Sequence, residues 1–374
     1  MLQITHNDGG ELFCALLNFM RFKFAIASDL HITLPHTVFD HPGRFHLVEY
    51  SIPAFEVVLE GLSHTDIDFL LLPGDLTQHG EPENHQWLSD RLQRLPYPVF
   101  VIPGNHDVPT PQSMELFPSY YSHCGYGHKN RLYYSYQLMP EVRLLAMNSN
   151  WFDAEGNQRG RVDDQQLDWL EQELAHKHYP VNLVMIHHNL LNHVPGQNRN
   201  PIGQRYILEN AAAVCEILHK YGVQLVFTGH LHVQDIAYDP TYALYDITTG
   251  SLVSYPHPYR LLEFAQANHT YKLDIISPRV SSIPEQSDLL NFSREWMANR
   301  SSPFVRRLLM QPPLNLSSAL VDQVLPHLRY FWSAIADGDA VFTFPDLPEP
   351  ARSFLEDFSD RPPADNQVSL TLPL

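Results

Sequence analysis

Residues 20–32, MRFKFAIASDLHI, decide how the rest of the chain is read. Phe22 to Ala27 is an apolar run too short for a helix and strand-like in composition. It ends in Asp29-Leu30-His31, which sets a carboxylate and an imidazole two positions apart. Four later runs end in the same manner. Asp68 to Leu72 leads to Gly74-Asp75, and Val99 to Ile102 leads to Gly104-Asn105-His106-Asp107. Leu183 to Ile186 leads to His187-His188, and Leu225 to Phe227 leads to Gly229-His230-Leu231-His232. Ligand-bearing loops of α/β sheets converge at the carboxyl ends of strands, so five such endings predict one site. Gly74, Gly104 and Gly229 allow sharp turns beneath a crowded centre.

Helical patterns separate several of these runs: Glu49 to Leu62, Asn84 to Leu95, Gln165 to Leu174 and Asn210 to Tyr221. In the third, Leu167, Leu170 and Leu174 form one stripe, with Asp163 or Asp164 as N-cap. Strands alternating with helices predict an α/β fold, and residues 131–149 and 233–275 read as further strands of a second sheet. The expected architecture is a layered β-sandwich flanked by helices, with a mainly helical C-terminal extension. The expected divisions are an N-terminal extension at 1–19, a catalytic domain at 20–280 and an accessory region at 281–374. That last region carries a helical stripe of Leu320, Val324, Leu328, Phe331 and Ile335, and no catalytic spacing. Its stripe needs a partner surface, which makes it the candidate for covering the site or for homo-oligomer contact.

Composition narrows the function. The 374 residues carry 24 basic and 42 acidic side chains, a net charge of −18, which discourages binding to nucleic-acid polymers and to anionic membranes. No apolar run reaches the length of a membrane span. The apolar stretch at 11–20 follows Asp8 and Glu11, where a signal peptide would carry positive charge. Cys14, Cys124 and Cys215 form no Cys-x-x-Cys pair, so neither a disulfide framework nor a thiolate zinc site is expected, and a reducing cytoplasm fits.

The ligand count bears on stoichiometry. A lone Asp-x-His or Gly-Asp is more often a turn or a helix cap, but all five endings occur in order. Asp29, His31, Asp75, Asn105, His187, His230 and His232 exceed what one ion takes from protein while keeping an open position. Two ions fit better, with Asp75 as their bridge. Oxygen and imidazole donors without thiolate suit Mn, Fe or Zn, as two divalent or mixed-valence ions.

The series Asp-x-His, Gly-Asp, Gly-Asn-His-Asp, His, Gly-His-x-His resembles the calcineurin-like metallophosphoesterase superfamily. GDLTQHGEPE, YYSY and GRVDDQQLDWLEQEL are similar to its class III cyclic nucleotide phosphodiesterases, over roughly residues 22–280. The resemblance implies one ion held by Asp29, His31, Asp75 and His232, and a second by Asp75, Asn105, His187 and His230. It implies that His106 contacts the phosphate as general acid or stabilising cation, with Asp107 orienting that imidazole. Where the family often continues His-His-Pro-Pro, this chain has Asn189 and Leu190.

Loops after ligand-bearing strands form the rim of a site. Arg44 with His41 and His46, and His193 with Arg199, are therefore candidate substrate contacts, joined by Tyr126 as a base-stacking candidate alongside Tyr120 and Tyr121. Tyr134 and Tyr136 are expected in the core. The expected activity is hydrolysis of a small phosphodiester, 3′,5′-cyclic AMP leading. Linear diesters, pyrophosphates and monoesters are alternatives, and a non-catalytic scaffold is the alternative of another class. A protein serine/threonine phosphatase is disfavoured, since Leu-Thr-Gln-His-Gly follows Gly74-Asp75 in place of Asp-Arg-Gly.

Overall fold

The computed structural model describes residues 20–39, 44–128, 131–176 and 178–373. The expected extension at 1–19, with Cys14, and His41 lie outside these residues. The strands are β1 (Arg21–Ile26), β2 (Phe69–Leu72), β3 (Val99–Val101), β4 (Tyr134–Met139), β5 (Val142–Ala146), β6 (Asn150–Phe152) and β7 (Gln158–Gly160), continuing as β8 (Val181–Met185), β9 (Leu225–Thr228), β10 (Asp235–Asp239), β11 (Leu244–Thr248), β12 (Arg260–Ala267), β13 (Thr270–Ile276) and β14 (Gln367–Pro373). The helices are α1 (Ser51–Ser63), α2 (Pro82–Leu92), α3 (Pro111–Tyr120), α4 (Asp164–His176), α5 (Pro201–Gln204), α6 (Ala211–Lys220), α7 (Leu289–Met310), α8 (Ser318–Val324), α9 (Phe331–Asp337) and α10 (Ala351–Glu356).

One sheet runs in the order β14-β13-β12-β1-β2-β3 and the other β10-β11-β9-β8-β5-β4, while β6 and β7 form a separate hairpin. Parallel pairing joins β1, β2 and β3 in the first sheet and β5, β8, β9 and β11 in the second. All four residues of β2 are buried, as expected of a parallel strand covered on both faces. The sheets meet through aromatic packing: Phe24 stacks on Phe69 at 4.9 Å and meets Phe227 of the other sheet edge-on at 5.5 Å. In β5 the side chains alternate, Leu144 entering this central core and Leu145 the outer layer. Leu170 and Leu174 of α4 and Val214 and Leu218 of α6 cover that outer face. Asp163 caps α4, its Oδ1 accepting from the Gln166 N–H at 2.7 Å. Tyr134 joins the core as expected, whereas Tyr136 is exposed.

The C-terminal region is helical through α10, and its apolar stripe packs within its own chain. Val324, Leu328, Phe331 and Ile335 build a second core that also takes in Leu231 and Val233, the neighbours of His232. The stripe therefore has its partner and supplies no argument for a second copy. Residues 367–373 differ from the helical expectation: they return as β14, pairing antiparallel with β13 from Gln367 opposite Ile276 to Pro373 opposite Thr270. Cutting the chain after residue 280 removes β14 and strips Leu231 and Val233 of their cover. Such a fragment is expected to aggregate or to melt without cooperativity, checked by circular dichroism and sedimentation. A soluble, cooperatively melting fragment would show the C-terminal region to be dispensable for folding.

Candidate metal centre and substrate cavity

The five ligand-bearing loops follow β1, β2, β3, β8 and β9, neighbouring parallel strands whose carboxyl ends meet across the two sheets. Asp29, His31, Asp75, His230 and His232 all lie at positive φ, between 44° and 68°. For non-glycine residues this left-handed backbone costs about 1–2 kcal/mol each, and such strain clusters at functional sites. Two glycines make the approach possible. A Cβ on Gly104 would stand 2.1 Å from the Asp75 nitrogen, and one on Gly74, at φ +97°, would stand 2.5 Å from the His187 ring.

The side chains form two groups that share Asp75. In the first, one ligand atom each of Asp29, His31, Asp75 and His232 lies within 4.8 Å of the others; Asp75, His187 and His230 form the second. His232 Nε2 is 3.0 Å from Asp29 Oδ1, His31 Nε2 is 3.5 Å from His232 Nε2, and His187 Nε2 is 3.4 Å from Asp75 Oδ1. Asn105 Oδ1 joins the second group 3.3 Å from His187 Nε2. Adjacent donors bound about 2.0–2.2 Å from one cation lie roughly 3 Å apart, so these spacings and this donor set fit metal ions.

Backbone carbonyls select the tautomers. His187 Nδ1–H donates to Pro73 O at 2.8 Å, which leaves Nε2 as its lone pair; His230 Nε2–H donates to Arg205 O at 3.0 Å, which leaves Nδ1. Burial and the neighbouring His46 and His106 hold the His31 pKa well below the usual histidine range, and burial with His187 pushes His230 down to about 3. Both shifts favour the neutral imidazole that metal binding requires. Burial also lowers His187, but the Asp75 charge and hydrogen bond outweigh it and raise the group to about 9, so a cation bound at Nε2 would have to displace a proton there. Burial alone would raise Asp75; His187 and His106 reverse this and keep it well below the usual carboxylate range.

His106 stands beside the shared carboxylate. Its N–H donates to Asp75 Oδ1 at 2.8 Å, and its Nδ1–H donates to Gln78 O at 2.6 Å, leaving Nε2 for the cavity that His106 lines. Asp107 does not orient this ring. Its buried carboxylate accepts from the Leu76, Thr77 and Gly104 N–H groups at 2.8–3.0 Å and from Thr77 Oγ1 at 2.9 Å, tying the second and third ligand loops together. The Gln78 carbonyl takes the orienting role expected of Asp107.

The sequence profile of the calcineurin-like phosphoesterase family matches residues 22–234. The chain belongs to this family. It is a metal-dependent phosphoesterase. It is 26% identical over 216 residues to a Moraxella catarrhalis protein named a "probable cyclic nucleotide phosphodiesterase", covering 56% of this chain and 71% of that one. It is 24% identical over 265 residues to the 3′,5′-cyclic adenosine monophosphate phosphodiesterase of Vibrio vulnificus, covering 67% of this chain and 82% of that one. A "probable glycerophosphodiester phosphodiesterase" of Arcobacter nitrofigilis is 26% identical over 170 residues, 44% of this chain and 56% of that one.

The phosphoesterase site opens into a cavity of about 1210 Å³. Its lining includes Asp75, Asn105, His230 and His232 of the candidate metal groups with His106, then Arg159, Arg205 and Tyr206, and Met297, Phe304 and Trp332 of the C-terminal helices. Most of the rim residues picked out in the sequence are absent from this lining. Tyr126 is fully buried in the central core, edge-on to Tyr134 at 4.8 Å, because residues 122–126 turn inward beneath β3. The His193 ring is buried too: Nδ1 is 2.6 Å from Asp235 Oδ2 and Nε2 3.3 Å from Asp246 Oδ2, an ion pair pinning its loop to β10 and β11. Arg44 turns to Glu49 at 2.6 Å, and Arg199 is exposed outside the cavity lining. Tyr121 is buried, and Tyr120 stacks on His85 at 5.0 Å.

Other residues, assigned no role from the sequence, serve the site. Asn189, at the departure from His-His-Pro-Pro, is buried and donates to Thr228 Oγ1 at 2.9 Å beneath the Gly229-His230 turn. His188 lines the cavity, its Nδ1 2.7 Å from Ser149 Oγ and its ring packed where a Cβ on Gly160 would intrude. Its adjacency to His187 was the only local signal. Arg205 and Tyr206 carried none, since a single basic-aromatic pair is commonplace on a loop.

Asp107→Asn places an NH₂ against backbone donors and is expected to weaken metal binding about 10–100-fold, as loss of supporting groups does. Metal titration checks it; unchanged affinity would detach Asp107 from the site. For His193, burial lowers the pKa but Asp246 and Asp235 raise it to about 10. A raised pKa stabilises the fold fully below the unfolded value of about 6.5, and that contribution is lost as pH rises through about 10. His193→Ala should cost about 3–5 kcal/mol with Michaelis constants nearly unchanged. Denaturant melts at pH 7 and 10.5 test this, because the deficit should shrink at the higher pH.

Proposed function

We propose that this phosphoesterase uses a dinuclear centre to hydrolyse small phosphodiesters, a 3′,5′-cyclic nucleotide being the leading substrate. The carrying observation is the double donor set that shares Asp75, with His106 hydrogen-bonded to the shared carboxylate at the cavity floor. Asp29, His31, Asp75 and His232 would hold one ion, and Asp75, Asn105, His187 and His230 the other. Two bound cations supply charge neutralisation for the phosphoryl oxygens and a water of lowered pKa as nucleophile. His106, fixed through Nδ1, presents Nε2 to the substrate, where a proton can stabilise developing charge or accompany the departing alkoxide. All seven expected ligands are present and six of them converge in the two groups with Asn105 alongside, which disfavours the scaffold reading.

The named relatives favour a cyclic nucleotide. A linear diester is the second reading, favoured by the cavity: its 1210 Å³ exceeds the usual range of about 300–1,000 Å³ for small-ligand pockets, leaving room for a bulkier leaving group. The net charge of −18 argues against polymers. Mn, Fe or Zn suit the donors. Among the described residues no helix is long and apolar enough to cross a membrane, and the cysteine usage supports the cytoplasm.

Comparing kcat/KM for 3′,5′-cyclic AMP, a nitrophenyl diester and a monoester, with Mn²⁺ and with chelator, tests this reading. Chelator-sensitive diesterase activity is expected. Asp75→Ala should lose metal and nearly all turnover, while His106→Ala should keep metal and lose about 10²–10⁴-fold, least on the aryl ester. Monoester preference or chelator resistance would overturn the proposal, and background activity on cyclic AMP alone would move it to linear diesters.

A further inference from the structure

Phe45 and His46, in the loop after β1, line the cavity, and the C-terminal helices hold them there. Trp296 of α7 donates its indole Nε1–H to the Phe45 carbonyl at 3.1 Å. The Phe45 ring packs into the core of the C-terminal region, the same core that buries Leu231 and Val233 on either side of His232. Two loops distant in sequence are thus docked on one helical surface. Trp296 is itself braced, stacked with Phe292 at 6.2 Å and lying under the Arg300 guanidinium at 3.2 Å.

The result is a third imidazole at the first metal group. The His46 ring centroid lies 4.4 Å from that of His31 and 4.5 Å from that of His232, and one nitrogen of each of the three rings lies within 4.8 Å of the others. Among the described residues His46 forms no side-chain hydrogen bond, and it lines the cavity beside His106 and His232. His232 Nε2 already meets Asp29 Oδ1 at 3.0 Å and His31 Nε2 at 3.5 Å, whereas His46 has no such partner among the described residues, and a cation shared with His31 and His232 would supply one.

We propose that His46 is a further donor to the cation held by Asp29, His31, Asp75 and His232, and that Trp296, as a positioning residue, places it there. The inference rests on the dinuclear reading above. It gives the C-terminal region a chemical role, because that region then sets the donor count, and hence the open positions, at one of the two ions. Cobalt is the probe, since its visible spectrum reports nitrogen donors and coordination number.

Full-length protein stripped of metal is titrated with Co²⁺, followed by calorimetry and absorption. The wild type should bind two ions; fewer than two would overturn the dinuclear reading itself, before any variant is compared. In His46→Ala one of the two affinities should fall by about 10–100-fold with an altered spectrum, and the other should hold. Trp296→Phe keeps the aromatic packing but loses the N–H, and should weaken the same ion to a smaller degree. Circular dichroism confirms that both variants are folded. Two ions bound by His46→Ala with wild-type affinity and spectrum would overturn the inference. So would a loss of turnover with unchanged Co²⁺ binding, which would assign His46 to the substrate.

Discussion

One buried carboxylate lies between two groups of imidazoles, and the surrounding structure exists to keep it there. A lone carboxylate so placed would be driven to take a proton, because burial removes its hydration. Asp75 is held in its charged form by His187 and His106 and by the His106 backbone N–H. Reaching that position requires two loops from adjacent strands to touch, which a side chain on Gly104 would prevent. It also requires left-handed backbone at five ligands, a strain that the flanking strands of both sheets offset by burying nearly every apolar residue they carry.

Support for the ligands comes largely from the main chain. The Pro73, Gln78 and Arg205 carbonyls each take one imidazole N–H, so three histidines present a defined second nitrogen to the site. Backbone oxygens are well suited to this, since they accept but never donate and cannot titrate. Asp107 acts in the opposite sense, collecting backbone N–H groups from two loops. Ligands, carbonyls and this collecting carboxylate form a rigid set, as preorganised electrostatic catalysis requires.

The C-terminal helices belong to the same unit. Gln234 donates its N–H to the Ala336 carbonyl at 3.1 Å, and Tyr255 donates to Asp337 Oδ2 at 3.0 Å, so α9 is fastened to the chain just beyond His232. With β14 closing the first sheet, the chain returns to the framework it began with. Met297, Phe304 and Trp332 consequently line the same cavity as the candidate ligands.

The seven candidate ligands, the α/β alternation and the strand ends were legible in the sequence because each depends on local spacing: a buried strand, then a turn, then a donor. The helical stripe at 320–335 was legible for the same reason. The rim was not. His193 and Tyr126 were placed in the sequence by proximity to ligand loops, but a side chain's direction depends on partners far along the chain. Asp235 and Asp246 lie more than forty residues after His193 and draw it inward, and Tyr134 with the central core does the same for Tyr126. Asp107 follows His106 directly, yet its carboxylate answers to Leu76 and Thr77. His46 is the converse, a loop histidine that Trp296, some 250 residues later, brings to the metal site. Local spacing thus determined which residues can bind metal, and only the tertiary structure decided which of the others face it.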